Sequence, residues 1–146
     1  MSIFSSLQTS ATGLTAQRLR MSVIANNLAN INTTRTREGT PYRRQFIVFA
    51  PLLRKGISGE VAGRENRSPG SGVAVVGIVQ DISPPRLVYD PGHPDADEGG
   101  YVSMPNIDPV REMVDMISAS RAYEANVTAI NAAKTMAMRA LDIGRV

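Results

Sequence analysis

Residues 110–144, VREMVDMISASRAYEANVTAINAAKTMAMRALDIG, carry one apolar stripe too long for the segment to stand alone. Met113, Met116, Tyr123, Val127, Ile130, Ala137 and Leu141 recur at alternating spacings of three and four, interrupted only by Ser120 and Lys134. That is the heptad pattern of a helix lying along another helix. Asp108 is placed to cap it, because its carboxylate can accept the orphan N–H groups of a first turn, and Pro109 suits the first helical position. Gly144 stands where a left-handed residue would end it. At 1.5 Å per residue the helix is roughly 50 Å long.

The opening segment supplies a partner. Leu7, Leu14, Met21 and Leu28 recur every seven residues, beside a second row of Ile3, Ile24 and Ile31 that Ser10 and Gln17 interrupt. Gly13 costs about 1 kcal/mol against Ala in a helix interior, so a bend or frayed first turns are expected there. Two heptad-patterned helices at opposite ends of one chain predict an α+β fold. Its termini pair as a coiled coil and display a small β-rich module between them. The alternative is a small bundle whose helices only cover a core. The expected units are residues 1–34, 35–107 and 108–146, the first and last forming one assembly unit.

Between the helices the pattern changes twice. In ANNLANINT, Asn26, Asn27, Asn30 and Asn32 are poor interior helix residues, because their amides compete for backbone groups. They unwind the helix into a turn, bond to a neighbouring chain, or do both. From Tyr42 onward YRRQFIVFA, GVAVVGIVQDI, RLVYD and GYVSM read as four short strands bounded by Pro and Gly. Such a module is too small to be stable without the helices. The Gly-, Ser- and Arg-rich Lys55–Gly72 reads as a mobile loop or splayed hairpin, and it holds no phosphate-binding glycine motif.

Composition matters here for what it excludes. There is no Cys, hence no disulfide or thiolate metal site, and aromatic residues are 5% with no Trp, so an isolated monomer is expected to be marginally stable. No apolar run reaches membrane-spanning length, and no cleaved export signal is evident. Net charge is +3 but unevenly laid out. Residues 1–67 hold 10 of the 16 Lys and Arg and 3 of the 13 Asp and Glu, and the remainder of the chain is net acidic. Unlike patches of this kind favour head-to-tail pairing with copies or neighbours. A small basic nucleic-acid-binding module is the alternative, although the bases are scattered and lack interleaved aromatics.

No catalytic constellation emerges. His93, the one histidine, lies in the turn-forming run DPGHPDADEGG, and counting a calcium loop from Asp95 places Asn106 where a bidentate Glu is needed. Asp90, Asp95, Asp97 and Glu98 sit among Gly and Pro, which are too pliant to fix two acids for catalysis. The expectation is a non-enzyme with no cofactor and no metal. On the long helix Ser118, Ala119, Ser120, Ala122, Ala125, Ala129, Ala132 and Ala133 let other helices approach closely, which suits a subunit of a larger assembly.

ASRAYEAN at 119–126 and ANNLANINT at 25–33 resemble the paired terminal signatures of the flagellar axial proteins, the rod, hook and hook-associated subunits. YDPGHPDADEGGYVSMPN at 89–106 is similar to the proximal-rod members. The resemblance implies a structural subunit of the periplasmic rod of the flagellar basal body. It also implies unfolded passage through the flagellar type III export apparatus without cleavage. The implied partners are copies of itself, other rod proteins and the proteins of the MS-ring junction, with no nucleic acid and no membrane insertion. Expected seam residues within the subunit are Leu7, Leu14, Met21, Leu28, Met116, Tyr123, Val127, Ile130 and Leu141. Expected contacts between subunits are Asn26, Asn27, Asn30, Arg121, Glu124, Asn126 and Asn131.

Overall fold

The computed structural model describes residues 3–52 and 72–144, so the segment read as a loop lies, except for Gly72, outside the described residues. Helix α1 spans Ile3–Ala29 and helix α2 spans Pro109–Ile143. Strands β1 (Gln45–Pro51), β2 (Val73–Gln80), β3 (Arg86–Tyr89) and β4 (Tyr101–Met104) fall between them. The fold is α+β, with two long terminal helices flanking a small antiparallel module.

The helices run antiparallel, since Gly13 of α1 meets Asn126 of α2, Arg20 meets Asp115, and Asn27 meets Glu112. Gly13 does not interrupt α1, which is continuous through it. A Cβ there would lie 2.9 Å from the Asn126 Oδ1, so the missing side chain is what admits α2 at this level. Asp108 caps α2 as expected. Its Oδ1 accepts the N–H of Val110 at 2.9 Å and of Arg111 at 3.4 Å, with Pro109 in the first turn. The far end differs from expectation: Gly144 is right-handed (φ −79°, ψ −1°) and its N–H still bonds the Ala140 carbonyl. The final turn is simply continued, with no left-handed stop.

The α2 residues turned inward are Glu112, Met116, Ala119, Tyr123, Asn126, Ile130, Ala133 and Ala137, all buried or half-buried. They keep the alternating spacing of four and three. Four of them belong to the apolar stripe seen in the sequence; of the other four, Glu112 and Asn126 sit one residue before its members, and Ala119 and Ala133 one residue before the interrupting Ser120 and Lys134. The reason is steric. Small residues let the backbones close up, as Ala16, Ala119 and Ala133 do at 0–4% exposure, and bulkier neighbours are displaced to the flanks. Met113 and Leu141, at 53% and 70% exposure, are not covered by α1.

β1 and β2 form an antiparallel pair from Gln45↔Gln80 to Pro51↔Val73, packed on α1. The register shifts at Val48/Phe49, where Val48 faces Gly77 and Phe49 faces Val75, so Val76 is left over as a bulge. β3 and β4 pair from Arg86↔Met104 to Tyr89↔Tyr101, and the two tyrosine rings meet edge to face at 5.3 Å. Gly100 turns the chain into β4 at φ +78°, and a Cβ there would press 3.0 Å from the Tyr89 ring. Val102 and Ile107 are buried where this hairpin leads into α2.

Candidate assembly interface

The junction of α1, the entry to β1 and the first turns of α2 is sealed by a polar cluster. Capping at Asp108 fixes the start of α2, which places Glu112 one turn later, pointing inward and fully buried. Arg44, just before β1, donates from Nε to Glu112 Oε1 at 2.6 Å and from Nη2 to Asp115 Oδ2 at 3.4 Å. Arg20 of α1 donates to the other Asp115 oxygen at 3.2 Å. Asn27, 1% exposed, uses its whole amide: Nδ2 donates to the Gln45 carbonyl (2.8 Å) and to Glu112 Oε2 (3.1 Å). Its Oδ1 accepts the Gln45 N–H (2.9 Å) and the Tyr42 hydroxyl (3.1 Å). Burial first, and the Glu112 charge second, push the Tyr42 hydroxyl pKa above its ordinary 10.0.

Asn27, expected at a contact between subunits, lies buried with its amide bonded within the subunit, as a buried amide must satisfy its donors and acceptors. Asn30 likewise turns inward on the helix end, with Nδ2 donating to the Asn26 carbonyl and Oδ1 accepting from Thr33. Asn126 is half-buried against Gly13 and donates to the Ala122 carbonyl. Asn26, Arg121, Glu124 and Asn131 are on the open surface. Of the seam residues, Leu7, Leu14, Met21, Leu28, Met116, Tyr123, Val127 and Ile130 are half-buried and flank the line of closest approach. Sequence reasoning missed Glu112, Asp115, Arg44, Arg20 and Tyr42, since the four charged residues read as solvated and Tyr42 read only as the start of a strand. The available signal was the spacing, which runs back from Ala119 and Met116 to Glu112.

The acidic run has a structural task. Asp90 accepts the Gly92 N–H, Asp97 accepts those of Gly99 and Tyr101, and Asp95 receives the Thr34 hydroxyl at 2.8 Å. These bonds hold the β3–β4 loop in shape and tie it to the turn after α1. Among the described residues no group of three potential metal ligands converges.

Two surfaces remain open. On α2, Val110, Met113, Val114 and Ile117 form an outward apolar stripe, each 53–68% exposed. Beside the polar cluster lies a cleft of about 440 Å³ between α1, β1 and the start of α2. Both belong to a molecule whose described residues bury only seven hydrophobic side chains.

Residues 7–35 match the family described as flagella basal body rod protein, and residues 98–143 match the flagellar basal body rod FlgEFG protein C-terminal family. Along its whole length the chain is 52% identical to the flagellar basal-body rod protein FlgC of Borreliella burgdorferi, with 98% of each covered. It is 47% identical to the FlgC of Bacillus subtilis and 38% identical to that of Escherichia coli O6:H1, over 99% of this chain and all of theirs. The chain belongs to the FlgC family. The two family matches fall on α1 with its following turn and on the β4–α2 region, the parts that the helix pair and the Glu112 cluster join. The FlgC relatives align with the middle of the chain as well, where the β module lies.

Proposed function

We propose that this chain is a structural subunit of the flagellar basal-body rod, placed in the proximal part of the periplasmic rod, and not an enzyme. The single observation that carries the reading is the helix pair. Its closest-approach line is small or polar, while large apolar side chains flank it half-covered or stand fully outside. A lone soluble domain gains nothing from such an arrangement; a subunit among several helices does. Membership of the FlgC family supports assembly with other rod proteins. The MS-ring junction and the type III export apparatus are further proposed partners. Passage through that apparatus unfolded suits a chain with so small a core, whose helices become stable when neighbours cover them.

Ala16→Asp and Ala119→Asp test this directly, since a carboxylate on the covered line cannot be solvated. Cells carrying either variant are expected to lack assembled rods and to be non-motile. Intact basal bodies containing the variant chain, seen by electron microscopy, would overturn the proposed role of the pair.

A further inference from the structure

The first residue of each strand in the β1–β2 pair gives its N–H to a side chain of α1. Gln45 donates to Asn27 Oδ1 at 2.9 Å, and its carbonyl accepts from Asn27 Nδ2 at 2.8 Å, so the amide stands at the strand edge as a further strand would. Val73, at the far end of the pair, donates to the Thr12 hydroxyl at 3.2 Å. That hydroxyl donates in turn to the Thr9 carbonyl at 2.7 Å, which leaves its lone pairs to accept. Gly72 makes the approach possible. It sits at φ +128°, and a Cβ on it would overlap the Thr12 Oγ1. Its carbonyl accepts the Leu52 N–H at 2.9 Å, so the ladder continues up to this contact.

The two fastenings are matched in length. Thr12 and Asn27 are fifteen residues apart, about 22 Å along a helix and about 50 Å in an extended chain. β1 covers the interval from Gln45 to Pro51, the partner of Val73, in six steps of about 3.4 Å, or about 20 Å. Only a helical α1 puts both acceptors within reach of a strand pair of this length. Both points also lie where α2 touches α1: Gly13, next to Thr12, meets Asn126, and Asn27 meets Glu112.

We propose that the β1–β2 pair is a gauge for α1, fastened at both ends only when residues 12–27 are helical. Closing the second fastening and forming the helix are then linked, each favouring the other. Thr12 is a positioning residue in this device: its hydroxyl decides where along α1 the Leu52 and Gly72 end of the pair is rooted. The inference goes beyond the rod reading, because it concerns a device within one chain.

The test is hydrogen–deuterium exchange of the chain in purified basal bodies, read by mass spectrometry with residue-resolving fragmentation. Thr12→Val keeps the shape and loses the acceptor. The Val73 amide is expected to exchange about tenfold faster while Gln45 is unchanged, and Thr12→Ser to keep the slow exchange. Lengthening each strand by two residues preserves its faces but carries the far end about 7 Å past Thr12. That variant, with α1 untouched, is expected to free Val73 in the same way and to quicken exchange of the α1 amides beside Thr12. A Val73 amide indifferent to Thr12→Val overturns the gauge. So does slow exchange at Val73, or unchanged exchange in α1, in the lengthened pair. Absence of the chain from purified basal bodies removes the rod reading alone, and the same comparison on the free full chain then decides the gauge.

Discussion

Glu112 is a carboxylate in a place without water, and taking a charge there costs several kcal/mol unless it is paired. Arg44 and Asn27 meet both of its oxygens, and Asp115 takes up the rest of the Arg44 guanidinium. Removing one partner of such a set leaves the other stranded. Glu112→Ala is expected to destabilise the helix pair by about 3–5 kcal/mol, read as a lower urea midpoint of the helix signal. Tyr42 adds a pH dependence. Its folded pKa lies above 10.0, so the neutral hydroxyl is favoured by folding. Its contribution is complete below the unfolded value and is lost as pH rises through the folded one. Helix content should therefore fall on titration upward from about pH 10, and Tyr42→Phe should flatten that fall.

For the elements, the sequence was most informative where a pattern is local. The Asp108 cap, the four strands and both long helices follow from capping chemistry, Pro and Gly punctuation and hydrophobic period. The line of helix contact was less legible, because large apolar residues mark the stripe whereas Gly13, Ala16, Ala119 and Asn126 mark the contact. Asn26, Asn27 and Asn30 share a sequence neighbourhood yet divide between surface and interior, and only the approach of Gln45 and Glu112 decides which is which. Gly13 gives the element-scale prediction. Gly13→Leu forces Asn126 aside and should cost about 1–3 kcal/mol by overpacking, despite the better helix propensity of Leu. Asn126→Ala in the same chain should recover part of that loss, measurable as non-additivity in a double-mutant cycle.

The described residues form a long helix pair carrying two antiparallel strand pairs, with apolar side chains left open along α2, on the strands and at the α2 end. Ordering each residue costs about 1–2 kcal/mol, and few buried contacts within the chain offset it. The isolated subunit should therefore show less helix by circular dichroism than the assembled rod, and helix content should rise with protein concentration. Helicity in dilute solution equal to that of the assembled rod would contradict coupled folding.

Fourteen residues separate Gly13 from Asn27, and fourteen separate Glu112 from Asn126. Each helix thus has two notches a matched two heptads apart, and both engage at one alignment only. A slide by a single turn would strand the Asn27 amide at one notch and drive a side chain into Gly13's space at the other. Slippage is barred at both positions together, so the two helices keep one alignment or come apart.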